Sequence, residues 1–188
     1  MFFDKSHLVA LGGNMPSAKG ESVETLRAAL DRIASSGCEL LAVSRFYRTP
    51  CFPPGAGPDY VNAAAMIACD AAPEAVLNLL HRVEAEFGRE RVKRWGQRTL
   101  DLDLIGAGDA VLPDLATYQA WHDLAPDAQQ SEAPDRLILP HPRMHERAFV
   151  LVPLADVAPE WRHPVLGRTV VEMRDALPDD ALAEVVAL

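Results

Sequence analysis

The stretch RWGQRTLDLDLI, residues 94–105, decides how this chain is read. Its second half alternates, with Leu100, Leu102 and Leu104 on one side of an extended backbone and Asp101 and Asp103 on the other. A period of two marks a half-buried strand. The two aspartates therefore share a face, with Cα atoms about 6.5–7 Å apart. Just upstream, residues 89–98 hold five basic side chains (Arg89, Arg91, Lys93, Arg94, Arg98) and one acid, Glu90. That is a local charge of +4 in a chain whose net charge is −9. Either the segment is a solvated strand beside a salted loop, or it holds cations and an anion together.

Upstream of this strand, HLVALG (7–12) reads as a short buried strand ending in the turn Gly12-Gly13-Asn14. SVETLRAALDRIASSG (22–37) places Val23, Leu26, Leu30 and Ile33 at helical spacing, with Ser22 as N-cap and Gly37 as stop. CELLAVSRFYRT (38–49) reads as a second strand ended by Pro50. The next loop is too rich in proline and glycine for regular structure. YVNAAAMIAC (60–69) is a third strand. PEAVLNLLHRVEAEFG (73–88) is the clearest helix, with Pro73 in its first turn, Val76, Leu79, Leu80, Val83 and Phe87 on one face, and Gly88 as stop. With the aspartate strand as fourth, the order is β-α-β-β-α-β, an α+β ferredoxin-like unit with a predominantly antiparallel sheet. Residues 106–136 read as a polar loop insert with about one helical turn, and the remainder as C-terminal additions: a short helix after LPHPRMHER, then a small strand and helix. One domain spanning 1–188 is expected, with no internal repeat.

The usual 4-1-3-2 strand order puts the first strand between the fourth and third, antiparallel to both. Gly12 to Asn14 then lie beside Asp101 and Asp103 on one flank and Tyr60 and Asn62 on the other. Thr49 and Pro50 come to the same edge.

Composition narrows what such an edge could do. At 188 residues, 49% hydrophobic and 24% charged, the chain matches an ordinary globular protein able to bury a core. No apolar run approaches the roughly 18 residues of a membrane span, and MFFDKSHLVALGGN does not read as a signal peptide. A cytoplasmic location and no membrane partner follow as expectations. The acidic balance disfavours nucleic acid, so the basic run is aimed at a small anion. Cys38, Cys51 and Cys69 are odd in number and form no Cys-x-x-Cys, so they read as small buried residues rather than a disulfide framework. No interface pattern stands out, and a monomer is the default.

Two unpaired carboxylates this close repel, and a divalent cation removes the repulsion. Hard oxygen ligands in ones and twos, completed by phosphate oxygens, suit Mg²⁺, and arginine forks match phosphate oxygens bidentately. GGNMPSAKG lacks the Gly-Lys-Ser/Thr of a P-loop, and no protein-kinase signature is present. A bare Asp-x-Asp also suits a strand with a wet face, and the Gly12-Gly13 pair suits a plain tight turn.

Four blocks in order resemble one family. ALGGN, FYRTPCFPPGAGPDYVNAA, RVKRWGQRTLDLDLI and LPHPRMHERAFVLVPLADVAP are similar to the 6-hydroxymethyl-7,8-dihydropterin pyrophosphokinases, across nearly the whole chain. The resemblance implies the ferredoxin-like fold and transfer of pyrophosphate from ATP to the pterin 6-hydroxymethyl group, releasing AMP, in folate biosynthesis. It implies that Asp101 and Asp103 hold two Mg²⁺ ions and that Arg89, Arg91 and Arg98 bind or steer phosphates. Trp95 would help cover the site. Glu84, His141, Arg143 and Arg147 would line the nucleotide pocket. Tyr60 and Phe149 would sandwich the pterin, Asn62 would hydrogen-bond it, and the Thr49–Pro50 backbone would read its edge. A flat heteroaromatic ring calls for two aromatic faces and an amide. Phosphoryl transfer needs positioning and charge neutralisation rather than a protein nucleophile.

Two positions depart from the family pattern: Gly13 stands where serine is usual, and Gln97 where proline is. The insert is longer than expected, and Arg136 is the basic residue in it that could reach the nucleotide. Two other readings stay open on the residues alone. One is a Mg²⁺-dependent phosphohydrolase using the same aspartates; the other is a non-catalytic ligand-binding domain whose aspartates face water.

Overall fold

The computed structural model describes residues 5–51, 55, 57–88, 98–125, 128 and 133–188. The elements are β1 (Ser6–Gly13), α1 (Ser22–Ala34), β2 (Glu39–Val43), β3 (Tyr47–Thr49), β4 (Tyr60–Ala68), α2 (Pro73–Glu86), β5 (Asp101–Ala107) and α3 (Leu115–His122). A 3₁₀ turn (Met144–Glu146) and helices here labelled α4 (Ala148–Val157), α5 (Val170–Arg174) and α6 (Asp179–Ala183) follow, then β6 (Val186–Ala187). The fold is mixed α/β around an antiparallel sheet ordered β5-β1-β4-β3-β6, with β2 paired to the other half of β4.

Alternation along β1 splits the core in two. Val9 and Leu11 face α1 and α2, where they pack with Leu26, Ile33, Leu80, Leu102 and Leu104. Leu8 faces the opposite side with Ile105, Leu151, Leu154 and Trp161, under α4 and α5. Fully burying each such aliphatic side chain contributes about 1.5–3 kcal/mol. Trp161 fits closely on this side. Its indole N–H donates to Gly108 O at 2.8 Å, and a Cβ on Gly106 would come within 3.0 Å of its ring. No helix among the described residues is long and apolar enough to cross a membrane.

Several local expectations need correction. Residues 38–49 form two strands, because Ser44 interrupts the ladder: its N–H donates to Ala64 O at 2.9 Å and its hydroxyl accepts from Ala64 N at 2.8 Å. The N-cap of α1 is Glu21, whose carbonyl accepts from Thr25 N at 2.9 Å, so Ser22 is already helical. The insert contains more than a turn of helix. Asp114 caps α3 by accepting from Thr117 N at 2.8 Å, and Tyr118 is 1% exposed. A two-bond bridge between Leu112 and Leu139 (2.9 and 3.2 Å) ties the start of the insert to the segment beyond it. In the tail, two short helices precede the last strand, which pairs with β3. Finally, Cys38 and Cys69 are joined by a disulfide, contrary to the reading of all three cysteines as unpaired; Cys51 is free and buried. Neither spacing nor count could pair them, because their proximity arises from β2 docking on β4, where Glu39 opposes Ala68.

Candidate active site

The strand order brings the expected residues to one edge. Gly12 opposes Asp101 on one side and Asn62 on the other, while Ala10 opposes Asp103. Thr49 opposes Tyr60, and the side-chain amide of Asn62 donates to Thr49 Oγ1 at 2.8 Å in a buried contact. That bond fixes which way the amide points. Pro50, next in the chain, is exposed. Close approach of three strands at Gly12 leaves little room, since a Cβ there would stand 3.1 Å from Asn62 Oδ1.

The strand carrying the aspartates is held from behind. Leu100, Leu102 and Leu104 are buried, so Asp101 and Asp103 take the half-exposed face, as the alternation predicts. Glu84 does not lie on that open face. It is 1% exposed on α2, and its Oε1 accepts from the N–H of Leu102 at 2.7 Å, between the two aspartates in sequence. Asn14 performs a similar tie that the sequence reading passed over as a turn residue. Its Oδ1 accepts from Arg98 N at 2.9 Å, its amide donates to Pro58 O at 3.2 Å, and its own N–H donates to Arg98 O at 2.9 Å. The only signal for it was an asparagine directly after a Gly-Gly turn.

Charge is concentrated at this edge. The Arg98 guanidinium pairs with Asp101. Burial works against its charge, but Asp101 outweighs that and holds its pKa above the ordinary value. Burial pushes the Tyr60 phenol up, with Arg98 acting the other way. On the far side of β5, His141 N–H donates to Ile105 O at 2.8 Å, which anchors the Pro-His-Pro segment to the aspartate strand. Its ring Nδ1 accepts from Arg143 N at 3.1 Å, so the ring is neutral with its remaining N–H at Nε2. Burial, with Arg147 and Arg143 nearby, lowers its pKa to about 3. Burial also pushes the Arg147 guanidinium down, with Asp103 and Asp101 counteracting. Arg143 pairs with Glu146. Phe149, in the first turn of α4, is 42% exposed with Arg147 Cζ 5.8 Å from its ring centre. Arg136 is exposed and paired with Asp135 at 2.9 Å. Arg89, Arg91, Trp95 and Gln97 lie outside the described residues.

A hard cation fits these donors. Among the described residues no group of three His, Cys, Asp or Glu side chains is arranged to hold a metal. A cation held by Asp101 and Asp103 would take two protein carboxylates and complete its shell from water or phosphate, the habit of Mg²⁺. A polyphosphate would also offer Arg98 a partner in place of Asp101.

The family model for 7,8-dihydro-6-hydroxymethylpterin-pyrophosphokinase matches residues 8–159. The chain belongs to that family. Among relatives, it is 36% identical over 167 residues to the 2-amino-4-hydroxy-6-hydroxymethyldihydropteridine pyrophosphokinase of Synechocystis, covering 88% of this chain and 73% of that one. It is 36% identical to the enzyme of the same name from Pseudomonas aeruginosa, covering 93% of each. Among solved structures, the wild-type HPPK-DHPS of Plasmodium falciparum superposes with a TM-score of 0.60 at 14% identity, covering 90% of this chain and 44% of that one. The fold of the pyrophosphokinase thus matches a portion under half the length of that larger chain.

Proposed function

We infer that this pyrophosphokinase transfers pyrophosphate from ATP to the 6-hydroxymethyl group of 6-hydroxymethyl-7,8-dihydropterin, releasing AMP, in folate biosynthesis. The observation that carries the reading is the meeting, on three adjacent strands, of an Asp101–Asp103 face with an oriented Asn62 amide and Tyr60 on one side. On the other side lies the His141–Arg147 segment, anchored to β5. In the reaction the pterin hydroxyl oxygen bonds to the β-phosphorus, and the bond from that phosphorus to the oxygen it shares with the α-phosphate breaks. The hydroxyl proton is lost and AMP departs.

Each residue has a part in this reading. Tyr60 and Phe149 stack on the pterin, Asn62 bonds its edge, and the Thr49–Pro50 backbone closes that edge. Arg98, Arg143 and Arg147 neutralise phosphate oxygens. His141, neutral at Nδ1, offers its Nε2–H to the nucleotide without adding charge. Arg89, Arg91 and Trp95 belong to the segment that would cover the phosphates and exclude water, the competing nucleophile. Glu84 serves the nucleotide site through the strand it braces. Asp101 and Asp103 would hold Mg²⁺, two ions in this reading, which supplies charge neutralisation and orientation of the phosphate oxygens. We read the β1-α1-β2/β3-β4-α2-β5 core as the ferredoxin-like unit, and the enzyme as a cytoplasmic monomer.

One assay tests the reading. Purified protein is incubated with Mg²⁺, ATP and 6-hydroxymethyl-7,8-dihydropterin, and the nucleotides are separated. AMP that forms only with pterin present supports it; ADP, or AMP without pterin, sinks it and favours a phosphohydrolase. Asp103→Ala is expected to lower turnover by several orders of magnitude with an unchanged circular dichroism spectrum. Turnover like wild type would refute the metal assignment.

A further inference from the structure

Helix α3 belongs to the insert, yet it sits against the turn assigned to ATP. The contact is aromatic and titratable. The rings of His122, at the end of α3, and His145, in the 3₁₀ turn, stack with centroids 4.7 Å apart and planes 21° apart. Asp123 Oδ1 lies 2.8 Å from His122 Nδ1, and a carboxylate can only accept, so the proton of a neutral His122 ring is on Nδ1. Its Nε2 is then a bare lone pair, buried without a hydrogen-bond partner, and His145 Nδ1 is likewise buried and unpartnered. Behind them, Tyr118 of α3 stands 5.8 Å from the His122 ring and 5.8 Å from His163. The Tyr118 hydroxyl is 3.2 Å from His163 Nε2, and His163 Nδ1 accepts from the N–H groups of Val165 and Leu166 at 3.2 and 3.1 Å. His163 is thereby fixed as the Nε2–H tautomer and is neutral.

We propose that α3 clamps the His141–Arg147 turn through the stacked rings of His122 and His145, and that protonation of His145 loosens the turn and weakens ATP binding. The two rings are positioning residues: neither touches substrate in our reading, and both act through Arg143, His141 and Arg147. A second proton on the His145 ring would place a buried positive imidazole at stacking distance from His122, a cost that the backbone carbonyl of Pro142 offsets only in part. The other charged and titratable groups around the pair are Asp123 and Tyr118 on α3, Arg143 and Glu146 on the turn, and His163 behind. Asp123 and Glu146 favour a positive ring, but Asp123 already holds a proton of His122 and Glu146 is taken by Arg143. Burial and the neighbouring His122 lower the pKa of His145, in agreement with this balance. If one proton is taken up on release, the opening equilibrium grows by up to about tenfold per pH unit below the ordinary histidine value of about 6.5.

The inference rests on the assignment of His141, Arg143 and Arg147 to ATP, so its test reads the clamp and the nucleotide separately. Hydrogen exchange of residues 115–122 is measured on the full chain at pH 7.5 and 5.5, corrected for intrinsic exchange, alongside the dissociation constant for ATP with Mg²⁺. Wild type should lose protection of α3 by at least threefold and bind ATP about 3- to 10-fold more weakly at pH 5.5. His145→Phe keeps a ring in the stack and carries no ionisable group. It should bind ATP within twofold of wild type at pH 7.5 and lose most of the extra pH dependence; protonation of ATP itself affects both proteins alike and cancels. His122→Ala should weaken ATP binding at both pH values while circular dichroism stays unchanged. Unchanged α3 protection in wild type, or the same pH dependence in His145→Phe, overturns the clamp. Lost protection with unaltered ATP binding overturns the coupling alone. The AMP assay at pH 7.5 remains a separate test of the reaction.

Discussion

Two residues set how the aspartate strand is held, and neither is an aspartate. Glu84 accepts the N–H of Leu102, at 1% exposure. Glu84→Ala leaves a buried donor unsatisfied, which costs about 1–3 kcal/mol. Because that donor lies between Asp101 and Asp103, activity should fall further than stability does, and the ratio of kcat loss to the shift in urea midpoint measures it. A variant with normal kcat and lowered stability would reduce Glu84 to a core residue. Gly13 is the second. A Cβ there would stand 2.6 Å from the carbonyl oxygen of Thr99. Gly13→Ser should therefore destabilise by roughly 1–3 kcal/mol, the ordinary cost of overpacking, instead of restoring a useful hydroxyl. A denaturation midpoint equal to wild type would mean that the 98–100 segment yields to admit it.

At the scale of elements, the sequence was legible wherever one periodicity ran without interruption. The Leu/Asp alternation of β5 and the apolar stripe of α2 both formed as read, and the strand order gave the Gly12, Asn62 and Asp101 juxtaposition correctly. What escaped was settled by tertiary contact. Ser44 breaks a strand by bonding a neighbouring strand, and α3 forms in a polar segment whose one large buried side chain is Tyr118. The Cys38–Cys69 link escaped for the same reason, and it carries a prediction. It closes a separation of 31 residues between the start of β2 and the end of β4. Chain-entropy reasoning assigns such a loop about 3–4 kcal/mol. Reduction should then lower the melting temperature by roughly 7–15 °C, at about 2–4 °C per kcal/mol for a chain of this size. Thiol titration of the denatured, unreduced protein should find one thiol, Cys51. Three would show that the pair is open, as a reducing cytosol would keep it.

The whole molecule carries a net charge of −9, so acidification relieves its self-repulsion and on that ground alone would favour the compact state. The buried histidines act in the opposite direction. His7, His141, His145 and His163 are all held below the ordinary histidine pKa, mainly by burial, with His141 at about 3 and His163 at about 4. A base with a depressed folded pKa is neutral when folded and binds its proton first when unfolded. The stability it contributes is therefore complete above about pH 6.5 and is lost as pH falls toward the folded value, by up to about 1.4 kcal/mol per unit. His141 and His163 should dominate, since the Nδ1 of each must stay unprotonated to receive backbone N–H groups, from Arg143 in the one and from Val165 and Leu166 in the other. Asp156 adds to the loss only at lower pH. Burial works against its charge, but hydrogen bonds from Arg45 and Tyr47 depress its pKa, so its contribution is present above the ordinary carboxylate range and fades below it. Urea midpoints measured from pH 8 to 3 should hold level to about pH 7, decline from near 6.5, and decline faster below 4.5. His163→Asn keeps an acceptor for the two N–H groups without titrating, and should make the first decline shallower while leaving the second. A midpoint that stays level from pH 7 to 5 in wild type would mean that relief of charge repulsion outweighs the buried histidines. An equally steep decline in the variant would move the titrating group away from His163.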